Sequence, residues 1–259
     1  MKITISTPHL TVVDDFLGEA EFASLAASLQ FLPYRPMHSR EWVKAYGMSP
    51  ATVLQSEMVT RGRVDSTPPG MGRVGELVER VAGPGEALSH DYPRGITGQG
   101  ATVTGRTVLS GVGAGLNWHN DAESLLGAYV FYGHPRWGST WGGELLVLAE
   151  EERAEAERAE AERAEEQRAG ERAEEERAGE SAGRPRGISG DLGPDFMLDT
   201  RAERYRNDIG HGIFVSARPN RLVLLTSHVH HRVAPVTPGA GDQPRTAVVG
   251  FFVSDAGTS

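Results

Sequence analysis

From Ala101 to Tyr132 the chain reads ATVTGRTVLSGVGAGLNWHNDAESLLGAYVFY. Thr102 to Leu109 is β-prone, glycines at 111, 113 and 115 interrupt it, and Ser124 to Tyr132 resumes the β-branched and aromatic character. The same texture continues in Glu144 to Leu148, Gly212 to Ser216, Arg221 to Thr226 and Thr246 to Val253, with turns marked by Gly142, Gly143, Pro219, Pro235 and Pro238. Short strands without intervening helices predict an antiparallel sandwich or barrel. Upstream, Leu10 to Val13 reads as a strand. Phe22, Leu25, Ala26 and Leu29 stand at i, i+3, i+4 and i+7, as one face of a helix, and Val74, Leu77, Val78 and Val81 outline a second helix that stops at Gly83-Pro84. Residues 34 to 70, with Trp42 and Tyr46 among polar and Pro-rich stretches, give no clear periodicity. The expected class is mainly β with flanking helices (α+β).

Charge is distributed unevenly along the chain. Its 259 residues carry 26 Lys and Arg against 35 Asp and Glu, a formal net −9. From Glu150 to Glu180, 14 Glu and 6 Arg fall within 31 residues that hold no apolar side chain larger than Ala, a net −8, so the other 228 residues are nearly neutral at −1. Ala, Glu and Arg favour helix, and Glu155/Arg158, Glu160/Arg163 and Glu165/Arg168 pair at i,i+3. Arginine recurs every five residues, which fits no buried stripe and gives coiled-coil pairing no support. The expectation is a solvated helical excursion, a low-complexity insertion over 150–187, ended by Gly183, Pro185 and Gly187. A partner-binding acidic arm is its functional alternative.

Composition excludes several classes of function. A neutral body lacks the basic track that nucleic acid requires. No apolar run reaches the roughly 18 residues of a membrane span, and the opening MKITISTP lacks the apolar core of a signal peptide, so a cytoplasmic location is expected. Arg outnumbers Lys 24 to 2, a bias typical of a GC-rich bacterial genome. With no cysteine, any metal must be held by nitrogen and oxygen.

Leu116-Asn117-Trp118-His119-Asn120-Asp121 carries the chemistry. On an extended segment, residues i and i+2 point the same way, so the His119 imidazole and the Asp121 carboxylate can converge. A third ligand is available from Ser227-His228-Val229-His230-His231-Arg232-Val233-Ala234-Pro235-Val236, which offers three histidines. Two His and one carboxylate make the facial triad of non-haem Fe(II) oxygenases, which leaves three metal positions open. Arg245 opens an apolar strand 14 residues beyond His231. Its planar fork suits the distal carboxylate of a 2-oxo acid cosubstrate.

In this order the motifs resemble those of the 2-oxoglutarate/Fe(II)-dependent dioxygenases, specifically the prolyl-4-hydroxylase-like branch, over roughly Thr102 to Val253 apart from the insertion. Trp118-His119-Asn120-Asp121 resembles the proximal metal motif. The run from Tyr129 to Trp137, followed by Trp141-Gly142-Gly143-Glu144-Leu145, is similar to the aromatic strand, tryptophan and Gly-Gly-x-Leu turn. His231 to Val236 resembles the distal motif, and Arg245-Thr246-Ala247 the cosubstrate arginine. The resemblance implies Fe(II) on His119, Asp121 and His231, with Arg245 and Tyr132 on the cosubstrate carboxylate. His231 is preferred to His230 because the Val-x-Pro-Val continuation follows it. The implied fold is a double-stranded β-helix, a cupin-like jelly roll, in one domain of residues 1–259. It comprises an N-terminal helical support region (1–100), a core formed by 101–149 and 188–259, and the insertion. One departure is the long gap from His231 to Arg245, which an extended turn at Gly239 to Gln243 would absorb.

The implied activity is hydroxylation of an unactivated C–H bond with release of succinate and carbon dioxide, using Fe(II), 2-oxoglutarate, dioxygen and ascorbate as reductant. A carboxylate at Asp121 favours hydroxylation, desaturation or cyclisation over halogenation, since related halogenases have a small residue there. Nucleic-acid demethylases of the family carry a second arginine six residues after the first, where Phe251 stands. The expected substrate is a small molecule, an amino acid or a specialised-metabolite intermediate. A protein or peptidyl residue is the alternative, and a non-catalytic β-helix binding module with a partner-binding acidic helix is the reading from another class. Candidate residues of the substrate pocket are Trp118, Asn120, Glu123, His134, Trp137, Trp141, His228 and Arg232.

Overall fold

The computed structural model describes residues 1–37, 53–61, 67–83, 96, 101–121, 125–148, 212–227 and 229–254. The charged segment expected at 150–187 lies outside the described residues, as do Glu123 and His228. In chain order the elements are β1 (Lys2–Ser6), β2 (Leu10–Asp14), α1 (Glu19–Ser28), β3 (Arg35–Pro36), β4 (Val53–Gln55), β5 (Val59–Thr60), α2 (Gly72–Ala82), β6 (Ala101–Ser110), β7 (Leu116–His119), β8 (Leu125–Tyr132), β9 (Leu145–Val147), β10 (Ile213–Val215), β11 (Leu222–Thr226), β12 (His231–Val233) and β13 (Arg245–Ser254). A 3-10 turn, Pro238–Ala240, precedes β13 and falls within the long His231–Arg245 gap.

Two antiparallel sheets form. The larger runs β1-β2-β11-β8-β13-β6-β4-β3, with β5 also on β6, and the smaller runs β10-β9-β12-β7. From β6 onward the chain passes back and forth between them, with the neighbours β9 and β10 in one sheet: β6, β8, β11 and β13 lie in the large sheet, and β7, β9, β10 and β12 in the small one. This winding is jelly-roll-like and agrees with the mainly β class expected. The N-terminal support region differs from expectation. Besides the two helices, it contributes β1 to β5 to the large sheet, pairing β2 with β11 and both β4 and β5 with β6. β2 matches the strand expected at Leu10 to Val13, and the other four are two to five residues long, too short to set up a periodicity that the sequence shows.

Residue alternation along the central strands divides the core in two. Tyr129 and Phe131 of β8, Leu222 and Leu224 of β11, and Val248 and Phe252 of β13 belong to a cluster on the outer face with Leu25 and Leu29 at α1 and Val74, Leu77, Val78 and Val81 of α2. Their neighbours Tyr132, Val223, Leu225 and Ala247 join Leu145, Val147, Val215 and Val233 between the sheets. A strand covered on both faces reads as an unbroken apolar run, which is why β11 is Leu-Val-Leu-Leu. The inter-sheet space is the one that matters for chemistry. His231 shares the face of Val233 on β12, and Arg245 that of Ala247 on β13, so both point into it together with Tyr132. No helix among the described residues is long and apolar enough to cross a membrane.

Candidate metal centre and anion pocket

His231 pairs directly with His119, whereas two residues later Val233 pairs with Leu116, three residues back, so β7 carries a bulge. On a regular strand Leu116 and His119 would face opposite sides. The extra residue lets Leu116 pack against the inter-sheet cluster while the His119 ring comes within 4.3 Å, centroid to centroid, of that of His231. Asp121 follows two residues beyond the strand. The ligand atoms of His119, Asp121 and His231 all lie within 4.8 Å of one another. These are the three residues predicted from sequence. His230 is buried as well, but it is not part of this group.

Backbone carbonyls set the tautomer of both rings. His119 Nδ1 lies 2.7 Å from the Asn117 carbonyl and His231 Nδ1 lies 2.8 Å from that of Val229. A carbonyl only accepts, so each Nδ1 carries the hydrogen and each Nε2 keeps its lone pair for a metal. Burial, reinforced by His231, pushes the His119 pKa down to about 4, and burial also lowers that of His231. Burial raises the Asp121 carboxyl to about 6, against the opposing pull of His119. Asp121 Oδ2 is buried without a hydrogen-bond partner. Two neutral imidazoles and a desolvated carboxylate are a donor set that a divalent cation would satisfy, and an N2O set fits Fe(II).

A second set of unsatisfied groups lies in the same inter-sheet space. Arg245 is 5% exposed, its side chain makes no ion pair or hydrogen bond among the described residues, and its Nε is buried without a partner. Its Cζ sits 5.2 Å from the centre of the Tyr132 ring, and the buried Tyr132 hydroxyl also has no partner. A guanidinium removed from water without a counter-anion is costly, so this pair is arranged for an incoming anion. Gly143 backs the arginine: its φ is +72°, and a Cβ there would stand 2.5 Å from Arg245 Cδ. The planar fork and the phenol together match a carboxylate.

The other predicted pocket residues separate into two groups. Trp118 and Asn120 flank His119, and Arg232 follows His231. The Arg232 guanidinium lies 5.6 Å from the centre of the buried Trp118 ring. His134, Trp137 and Trp141 form the second group. The His134 ring is buried with both nitrogens facing carbonyls, and it packs on Trp137, whose ring meets that of Trp141. Trp137 lines a cavity of about 210 Å³ with Glu144, Phe214 and Ser216, to which none of the three metal-ligand candidates contributes. Sequence reading missed the carbonyls of Asn117 and Val229 and the fit of Gly143 to Arg245. The adjacent glycines after Trp141 were a visible signal of the fit to Arg245; the two carbonyls left none.

No protein-family model matches the sequence, and no curated protein matches it. Solved structures match it in fold. A prolyl-4-hydroxylase of Pseudomonas putida is similar at 14% identity over 95% of this chain and 92% of its own, with a TM-score of 0.50. A prolyl hydroxylase of Trichoplax adhaerens, solved with a peptide fragment of the hypoxia inducible factor oxygen degradation domain, is similar at 13% identity over 98% and 88%, with a TM-score of 0.53. HygX of Streptomyces hygroscopicus, solved with nickel and 2-oxoglutarate, is similar at 14% identity over 95% and 83%, with a TM-score of 0.50. The fold is that of the 2-oxoglutarate/Fe(II) oxygenases of prolyl-4-hydroxylase-like type, as the motifs implied.

Proposed function

We propose that the chain is a 2-oxoglutarate/Fe(II)-dependent dioxygenase that hydroxylates an unactivated C–H bond of a small molecule, either an amino acid or an intermediate of specialised metabolism. One observation carries the reading: a clustered two-His, one-carboxylate donor set and an unpartnered Arg245–Tyr132 pair share one inter-sheet space. His119, Asp121 and His231 would hold Fe(II), and Arg245 with Tyr132 the distal carboxylate of 2-oxoglutarate. Bound there, Fe(II) supplies dioxygen activation coupled to decarboxylation of 2-oxoglutarate to succinate and carbon dioxide, one oxygen atom going to the substrate.

The chain's own residues bind, orient and desolvate. Nδ1 hydrogen bonds from His119 and His231 hold both rings in the tautomer that presents Nε2. Packing between the sheets keeps water from the Arg245 fork, which strengthens its hold on a carboxylate. Asn120 stands between two ligands in sequence and Arg232 beside the third, so substrate contacts are assigned to these two, with Trp118 supporting Arg232. The reading includes a single domain, with 150–187 as an insertion between β9 and β10, working in the cytoplasm without nucleic acid.

Anaerobic titration with Fe(II) and then 2-oxoglutarate, followed by oxygen and quantified succinate, tests the reaction class, with ascorbate present to keep the iron reduced. Metal-dependent succinate formation is expected even without the true substrate. Absence of any such turnover in protein that binds Fe(II) would refute the reading. A metabolite screen for a gain of about 16 mass units then identifies the substrate.

A further inference from the structure

Arg245 and Thr246 open β13 before its ladder with β8 begins, since the first pair between these strands is Ala247 with Tyr132. On the β8 side the Gly133 amide and the His134 ring take the place of the missing strand. Gly133 N–H donates to the Thr246 carbonyl at 2.9 Å, and His134 Nδ1 lies 3.1 Å from the same oxygen. His134 Nε2 lies 2.7 Å from the Ala217 carbonyl, in the turn between β10 and β11. The ring is packed between Tyr132, at 5.8 Å, and Trp137, at 4.7 Å. Trp137 in turn donates its Nε1–H to the Gly142 carbonyl at 2.8 Å, and the next residue, Gly143, is the one pressed against the Arg245 side chain. The contacts thus close a ring around Arg245. One arm fixes its backbone through Thr246, and the other fixes its side chain through the Gly142-Gly143 turn.

We propose that His134 and Trp137 are positioning residues for Arg245, setting the affinity for the cosubstrate carboxylate rather than contacting the hydroxylated substrate. The inference rests on the assignment of Arg245 to 2-oxoglutarate made above. An unpaired buried guanidinium cannot be held by a counter-ion in the free protein, so its location depends on packing and on the backbone beneath it. Burial keeps the His134 ring neutral, with one N–H for two carbonyls. The contact that matters for Arg245 is the one to Thr246.

Amide variants separate the two contacts by reach. The Asn amide nitrogen lies as many bonds from Cα as His Nδ1 and can still donate to Thr246. The Gln amide nitrogen matches Nε2 and can reach only Ala217. Calorimetry of 2-oxoglutarate on Ni(II)-loaded protein, with steady-state KM and kcat from succinate, reads the effect. His134→Gln and Trp137→Phe are expected to raise Kd and KM for 2-oxoglutarate about five- to tenfold. In both variants kcat at saturating cosubstrate should stay within about twofold of the parent, with Ni(II) affinity unchanged. His134→Asn should bind 2-oxoglutarate within about twofold of the parent protein. Rescue by Gln but not by Asn would overturn the proposal, because the ring would then act on the Ala217 turn. Unchanged binding in both His134→Gln and Trp137→Phe would overturn it alone. Failure of the Ni(II)-loaded parent protein to bind 2-oxoglutarate would overturn the cosubstrate assignment and this inference together. If His134→Gln does not fold, Trp137→Phe decides by itself.

Discussion

Tyr129 and Tyr132 stand three residues apart on β8, both fully buried, and face opposite sides of the large sheet. Tyr129 points toward the helices and donates its hydroxyl to the Thr104 carbonyl at 2.9 Å, whereas the Tyr132 hydroxyl, between the sheets, has no partner. Two arginines repeat the contrast. Arg221, 13% exposed at its side chain, spends its donors on both oxygens of Asp14 and on Ser216. Arg245, more deeply buried, makes no such bond among the described residues. Buried polar groups in folded proteins are nearly always satisfied. A fold that satisfies them at one tyrosine and one arginine and leaves their counterparts open has one region that structure completes and another that a ligand must complete.

The contrast breaks most visibly at the metal ligands. Asp121→Ala or His231→Ala should weaken Fe(II) or Ni(II) binding by about a hundredfold or more, read by anaerobic calorimetry, and abolish succinate formation. Arg221→Met should leave metal affinity unchanged. Retained metal binding in His231→Ala would remove this residue from the site and reopen the choice of His230.

The arginine pair gives the next largest effect, and its two members should respond in opposite ways. Arg245→Met removes a buried charge that has no partner, so the free protein should be equally or more stable to urea, while 2-oxoglutarate affinity falls about thirtyfold or more. Arg221→Met leaves the buried Asp14 carboxylate with Arg218 as its remaining cation and should cost about 1.5–3 kcal/mol of stability with no change in cosubstrate affinity. Marked destabilisation by Arg245→Met would mean that its charge is satisfied within the fold. The tyrosines sharpen the same point on a smaller scale. Tyr129→Phe leaves the Thr104 carbonyl without its side-chain donor and should cost about 1 kcal/mol, whereas Tyr132→Phe should be neutral for folding and raise KM for 2-oxoglutarate about threefold to tenfold.

What the sequence made legible follows the same division. The cluster of His119, Asp121 and His231, and Arg245, could be anticipated because their chemistry is tied to residue type and order, and Tyr132 because of the resemblance. The choice between His230 and His231 depended on register, which the Val-x-Pro-Val continuation marked and the pairing of His231 with His119 fits. The bulge in β7 could not be read, because Leu-Asn-Trp-His has no feature separating a bulged strand from a regular one. His134 was read only as a candidate for the substrate pocket. Its actual partners, the carbonyls of Thr246 and Ala217, lie 112 and 83 residues away in sequence, and backbone acceptors leave no trace in side-chain pattern. Strands β3 to β5 escaped for a different reason: their pairing with β4 or β6, rather than any strong propensity, makes them strands.

The smallest expected effect concerns acid stability of the satisfied region. Burial would raise the Asp14 carboxyl, but hydrogen bonds and charge from Arg221, with help from Arg218, outweigh it and hold the group below its ordinary value of 3.8. A carboxylate whose folded pKa is depressed stabilises the protein fully above the unfolded value. It loses that contribution as pH falls through the folded one. The Asp14 contribution should therefore be flat from neutral pH down to about 5 and fade below about 4. Urea midpoints of wild type and Asp14→Asn, measured across this range, should converge in acid. Arg245→Met should show no matching convergence, since it has no carboxylate partner to titrate. A gap between wild type and Asp14→Asn that persists undiminished at pH 3 would mean that the Asp14 side chain stabilises β2 by packing rather than by charge, and the contrast between the paired and unpaired arginines would then rest on Arg245 alone.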